Sequence, residues 1–409
     1  MKLARILGLL CATIIFTPAS IAQGVTEITI WHIFTGGHAE ALDSAIARFQ
    51  AANPDVRVVP VHQGAAWGDL RTKLLAATAA GTPPTIGLFK TGWVPGAFED
   101  VLLPLDEVIP PALKGDILPT FVADSTFNGV LRTVPLARSA DVLFYNTALV
   151  PEPPRAWDEM LTMARALNTD RDGDGSIDRW GVGIRPGPEQ FAFLFLQAGG
   201  EWFNPDETAF LVDSPAGIKA MEHLLALREA ALFQTGFFSG PFGAGDVAMY
   251  WGSTAGIPFV AEAAAAHGTP WNVAPIPAGP LGRGYSILMS ASAGIFQVGT
   301  TEAAQEAATR FLLFLLSPEE HLQWITQTGY LPYRQSVIDS PEWQAFLQEN
   351  PFMAGVTEQA TLALAYPHHV EWDSLRRLLS EAVDAVLHGQ LAPVEALHRA
   401  ATEAPGYLE

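Results

Sequence analysis

Residues 26–54 read TEITIWHIFTGGHAEALDSAIARFQAANP. The first seven alternate and are rich in Ile and Trp, which predicts a strand from Thr26 to His32. Thr35-Gly36-Gly37 then turns the chain into Leu42, Ile46 and Phe49, apolar positions at helical spacing, and Asn53-Pro54 stops the helix. The same unit recurs downstream. Val56 to Val61 reads as a second strand, Leu70, Leu74 and Ala77 mark a second helix, and Thr85 to Phe89 a third strand. Strands alternating with helices make an α/β fold on a parallel sheet. Such sheets bind ligands beyond the carboxyl ends of their strands, here His32 to Gly37, Gln63 to Trp67 and Lys90 to Trp93. The glycines of Phe34-Thr35-Gly36-Gly37 lack the spacing of a dinucleotide or phosphate-loop fingerprint.

Beyond Pro135 the chain runs through Leu136 to Asp141 into an apolar strand, Val142 to Tyr145. Pro151 to Pro154 then lead to a helix from near Trp157, so a second lobe is expected to begin there. Trp271 to Pro280, with three prolines and a glycine, suits a crossover between lobes better than a continuous strand. Helices are expected at Ala303 to Leu316 and Trp372 to Leu387. The expected division is 23–136 plus 274–317 for one lobe and 137–273 plus 318–409 for the other. A chain of 409 residues that is 49% hydrophobic has enough apolar mass for two cores.

At the start, Lys2 and Arg5 precede an apolar run from Ile6 to Phe16, and Ser20-Ile21-Ala22 offers small residues for cleavage. Residues 1–22 therefore read as a secretory signal, and the protein is expected to be exported, periplasmic or extracellular, and soluble once the signal is removed. The run is about half a membrane span. Cys11 follows Leu10, not the small residue of a lipoprotein signal, which argues against a lipid anchor. Cleavage after Ala22 removes the chain's one cysteine, and with it any disulfide or thiol chemistry. Loss of Lys2 and Arg5 takes the formal charge from −20 to −22, against nucleic acid or anionic lipid as a partner.

Several strings, in this order, give the chain its resemblance: Ile30-Trp31-His32, Ala47-Arg48-Phe49 with Ala52-Asn53-Pro54, Gly81-Thr82-Pro83-Pro84, Phe144-Tyr145-Asn146, Val247-Ala248-Met249, Phe311 to Leu316 with Ser317-Pro318-Glu319, and Thr328-Gly329-Tyr330-Leu331-Pro332. The chain resembles the extracellular solute-binding proteins of family 1, which serve ABC importers of sugars and glycerol phosphate, and within them the glycerol-3-phosphate-binding branch. The resemblance implies a two-lobed periplasmic-binding-protein architecture of class II type, each lobe a doubly wound sheet flanked by helices, joined by a hinge that closes on the ligand. It implies no catalysis, a monomer, and the importer's transmembrane subunits as partners. Carried over singly, the branch's first aromatic falls on Trp67, its serines on Ser139 and Ser253, and its tyrosine on Tyr330. Its acidic position is Lys90 here, and its phosphate-pairing arginine falls near His368.

Sugar sites combine flat aromatic faces with fixed hydrogen-bonding groups. Trp67, in a loop among small residues, fits the first need, and Trp251 ends a strand-like run. His32 ends a strand and can donate to a hydroxyl, although a lone histidine there is equally a satisfied structural group. Tyr330 can cap a cleft or plug a lobe interface. Lys90, Arg138 and Arg185 are basic loop positions in an acidic chain, suited to phosphate or carboxylate, with solvation the blander reading for Arg185. His368, His369 and Trp372 form a late aromatic cluster. The ligand classes in view are a carbohydrate first, and glycerol-3-phosphate or a glycerophosphodiester second. A secreted glycoside hydrolase is the reading from another class; it needs paired carboxylates, and Asp141 is the one acid near the expected strand ends.

Asp170-Arg-Asp-Gly-Asp-Gly-Ser-Ile-Asp178 places Asp170, Asp172, Asp174 and Asp178 at positions 1, 3, 5 and 9 of a calcium loop, with Ser176 offering a carbonyl at position 7. Gly181 stands where the bidentate glutamate belongs, so a structural Ca2+ of weak affinity is expected, and no catalytic cofactor.

Overall fold

The computed structural model describes residues 24–408; the expected signal segment and Cys11 lie outside the described residues. Two five-stranded sheets organise the chain. In the first, Thr26–His32 lies between Val56–His62 and Ile86–Phe89, parallel to both. Its alternation works as read: Ile28 and Ile30 point into the core, and helix Gly37–Ala52 covers them with Leu42, Ile46 and Phe49. The sheet is completed by Met289–Ile295 and Val134–Ser139; the former is the one reversed strand, antiparallel to Ile86–Phe89 and to Val134–Ser139, which therefore runs in the direction of the other three. Met289–Ile295 returns from the other lobe, and Val134–Ser139 follows a first-lobe run of short helices and a two-stranded hairpin; neither arrives through a β-α-β unit.

The second sheet runs Trp271–Ala274, Asp141–Asn146, Val247–Ser253, Trp180–Ile184, Ala231–Phe233. Its last three strands are parallel and its first two antiparallel to their neighbours. Helices cover both faces, so Tyr250 and Trp251, on opposite faces of one strand, are both buried: Tyr250 stacks on Phe144 at 4.9 Å and Trp251 meets Phe193 edge-on at 5.2 Å.

Only Ala140 separates the end strand of the first sheet from the strand that opens the second, which makes this the tightest crossing between lobes. The chain returns between Ala274 and Met289. It does not leave again at residue 317. Helix Pro318–Thr328 packs on Gly37–Ala52, Arg48 bonds Glu320 at 2.6 Å, and Arg334 bonds Asp116 at 2.6 Å. The first lobe thus keeps the chain through about residue 338, beyond the expected boundary, before helix Phe352–Thr361 joins strand Trp271–Ala274 and helix Trp372–Leu387 completes the second lobe. No helix of the described residues is long and apolar enough to cross a membrane.

Candidate functional site

A cavity of about 240 Å3 opens between the lobes. From the first lobe, Trp67 begins helix Trp67–Ala79, where the Asp69 carboxylate accepts from the Ala66 amide at 3.2 Å and fixes the turn. Lys90 follows strand Ile86–Phe89 directly, at its carboxyl end. Its Nζ lies 5.7 Å from the Trp67 ring, and Trp93 meets Trp67 edge-on at 6.1 Å. Arg138 also lines the cavity, yet it is only 1% exposed and bonds Asp124 at 2.7 Å; the Thr91 hydroxyl donates to the same carboxylate at 2.7 Å.

The second lobe supplies Glu189, from the first turn of helix Pro188–Gln197, with Tyr366 and the Trp372, Asp373 and Arg376 face of the helix beginning at Trp372. The Arg376 guanidinium donates to Glu189. Burial raises the Glu189 pKa, but Arg376 and Lys90 outweigh it and hold the carboxyl below its ordinary range. Lys90 is pushed down to about 8, first by burial and then by Arg376, against the opposing pull of Glu189 and Asp373. It is therefore mostly protonated at neutral pH.

The lobes touch along one side of this cleft. Arg71, one helical turn beyond Trp67, bonds Asp373 at 3.0 Å. Gly92 lies so close to the Trp372 indole that a Cβ there would stand 2.7 Å from Cδ1. Only a residue without a side chain allows this approach.

The wall thus brings together Trp67, Lys90, Arg138 and Trp372 of the residues singled out in the sequence. The other candidates lie outside it. His32 is buried, its Nδ1 accepting from the Phe34 amide at 3.1 Å. Burial first, then His62, lowers its pKa to about 4, so it is neutral in the folded protein. Tyr330 is buried in the first lobe, stacked on His38 at 5.1 Å and parallel to Trp324 at 6.0 Å. Trp251 belongs to the second core. Ser139 is buried at its strand end, and Ser253 accepts from the Ala255 amide at 3.3 Å as the cap of a short turn. His368 stacks on Phe127 at 4.4 Å and His369 on Phe203 at 5.0 Å, so that loop bridges the lobes. Arg185 lies over the Phe237 ring at 5.4 Å. His368 itself is not in the wall; a cation that is, Arg376, stands four residues after Trp372 and on the same helical face. That spacing was the available signal for Arg376. The same spacing from Trp67 marks Arg71, while nothing local marks Glu189.

In the acidic loop, carboxylate oxygens of Asp170, Asp172 and Asp174 lie within 4.8 Å of one another. Asp170 accepts from the Gly173 and Gly175 amides at 2.7 and 2.9 Å, and Asp178 from Arg171 at 2.6 Å. These exposed, oxygen-only donors suit a hard cation.

Residues 44–351, three quarters of the chain, match the family model described as bacterial extracellular solute-binding protein. The chain is similar to the sn-glycerol-3-phosphate-binding periplasmic protein UgpB of Escherichia coli K12, 25% identical over 413 residues, covering 93% of this chain and 92% of that one. Among solved structures it is similar to the cyclic alpha-maltosyl-1,6-maltose binding protein of Arthrobacter globiformis, with TM-score 0.80, 23% identity, and coverage of 94% and 99%. It is also similar to UgpB of Mycobacterium tuberculosis in complex with glycerophosphocholine, with TM-score 0.79, 21% identity, and coverage of 94% and 98%. The two lobes, the crossing at Ala140 and the family match over most of the chain lead to one conclusion: this chain belongs to the bacterial extracellular solute-binding proteins.

Proposed function

We propose that this protein is an exported, monomeric receptor that captures a carbohydrate between its lobes by hinge closure and presents it to the membrane subunits of an ABC importer. The observation that carries this reading is the cavity wall itself. Trp67 and Trp93 from one lobe face Tyr366 and Trp372 from the other, with Lys90, Glu189, Asp373 and Arg376 among them. Aromatic faces cover the C–H surface of a sugar, and fixed polar groups meet its hydroxyls. The similarity to the glycerol-3-phosphate, maltosyl and glycerophosphocholine binders supports a polyhydroxylated ligand.

We propose no chemical step on that ligand. A hydrolase needs one carboxyl kept protonated beside a second kept ionised. Asp141 does have a raised pKa, about 7, chiefly through burial, but it is buried and outside the wall. Glu189, which does line it, is bound to Arg376. A thermal-shift screen of the mature protein against sugars, polyols and glycerol phosphates tests the assignment. Trp67→Ala is expected to weaken the best ligand about 10- to 100-fold, the loss of roughly 1.5–3 kcal/mol of aromatic contact, with little change in the melting temperature of the free protein because Trp67 is half-buried. An unchanged affinity in Trp67→Ala places the ligand elsewhere.

The acidic loop is proposed as a weak structural calcium site held by Asp170, Asp172, Asp174 and Asp178 with the Ser176 carbonyl, away from the ligand cleft. Calcium titration should raise the melting temperature with a midpoint of about 0.1–1 mM, and Asp172→Asn should remove the effect. No shift at several times that range refutes the site.

A further inference from the structure

The charges lining the cleft do not cancel, and the excess sits at one atom. Arg71 faces Asp373 at 3.0 Å, Arg138 faces Asp124 at 2.7 Å, and Arg376 is bonded to Glu189. Lys90 alone among the lining cations has no carboxylate within salt-bridge distance among the described residues. Just outside the wall, Arg185 draws on the buried Asp141, whose pKa burial nevertheless raises to about 7. A chain of formal charge −20 therefore keeps a positive point in its cleft, where a largely desolvated ammonium without a partner is costly. An anionic ligand group would remove that cost with a charge-assisted hydrogen bond.

Lysine also suits this task by its shape. A compact ammonium takes one anionic oxygen without the two-point geometry that arginine imposes. Glu189 and Asp373 pull on Lys90 while Arg376 and Arg138 oppose them, and every other lining cation is already held by a carboxylate, so the cleft offers compensation for one negative charge and not for a second. The cavity, about 240 Å3, is below the ~300 Å3 usual for a ligand pocket, a size that suits a small guest.

We propose that the cleft selects a small polyhydroxylated monoanion, a sugar carboxylate or a glycerol phosphodiester, with its charged group on Lys90 and its carbon skeleton against Trp67. The inference rests on the cleft being the solute site and narrows its ligand from carbohydrates at large to singly charged ones.

Titration calorimetry on the mature protein compares glucuronate with glucose, glycerophosphoglycerol with glycerol, and glycerol 3-phosphate as the dianion. One of the two monoanions should bind at least about tenfold more tightly than its neutral counterpart, as expected for a hydrogen bond to a charged group, and glycerol 3-phosphate more weakly than the diester if the diester is the one that binds. Lys90→Gln should erase that preference without lowering the melting temperature of the free protein. Affinity for the monoanion should also fall as pH rises from 7 to 9.5. Lys90, faced by Arg376, Glu189, Asp373 and Arg138, loses its proton from about 8 upward, and the ligand then has no cation to meet. Which monoanion binds separates the carboxylate from the phosphodiester. Glucose or glycerol binding as well as its charged partner, or full monoanion affinity in Lys90→Gln, overturns the charge inference and leaves solute capture standing. If no ligand of either charge binds, both fall.

Discussion

Replacing Arg138 by Met is expected to lower the stability of the free protein by about 3–5 kcal/mol, the usual cost of removing one partner of a buried ion pair. Arg138 and Asp124 are each about 1% exposed and meet at 2.7 Å. The Asp124 carboxylate keeps the Thr91 hydroxyl as a donor but loses its cation inside a site that water does not reach. The uncompensated charge, more than the lost contact, sets the size of the effect. Adding Asp124→Asn to Arg138→Met should therefore recover a large part of the loss, a sign opposite to that of two independent defects. Chemical denaturation of the single and double variants measures this. If Arg138→Met is as stable as the parent, the pair is not buried as described. Because Arg138 also lines the cavity, the double variant with recovered stability is the one to test for ligand binding.

Trp372→Ala should cost a similar amount, about 3–5 kcal/mol, through the cavity left by a large aromatic. The indole is 1% exposed and packed among Trp202 and Tyr366, each at 5.0 Å, with Phe203 and Phe210 beyond at 6.5 and 6.4 Å. The loss falls on the second lobe, whose core contains the residue. Binding suffers separately, since the same ring forms part of the cavity wall and is the surface on which Gly92 of the other lobe rests. Trp372→Phe keeps most of the buried area and should restore most of the stability while leaving affinity reduced. Differential scanning calorimetry with and without the best ligand separates the two effects. Equal recovery of both in Trp372→Phe would mean that the ring's only role is to fill the core.

The two roles of tryptophan in this chain show how far a reading of residues reaches. Trp67 sits among small residues at the start of a helix, and the structure places it at the edge of the first lobe's core with its ring in the cleft wall. Trp251 ends a strand-like run and looked similar, but it is packed on Phe193. The difference lies in the helix Pro188–Gln197 that covers that face of the sheet, which is distant in sequence from the strand it buries. His32 and Tyr330 follow the same logic: each sits where a strand or turn ends, and each is enclosed by side chains from far along the chain, His62 beside one and His38 and Trp324 around the other.

What the amino-acid order determined alone was local and periodic. The strand Thr26–His32, the helix after the Gly36-Gly37 turn, the helix Trp372–Leu387 and the crossing near residue 140 follow from apolar spacing and from glycine and proline, because backbone hydrogen bonding ties each of these to neighbours a few residues away. The placement of Lys90 at a strand's carboxyl end follows in the same way. Only the tertiary structure decided that Arg71 meets Asp373, that Glu189 occupies Arg376, and that Lys90 keeps its charge without a partner among the described residues. Those pairings join groups far apart along the chain, 187 residues in the case of Glu189 and Arg376, and Coulomb energy depends on the distance between charges, which is set by how helices and lobes pack and not by position along the chain.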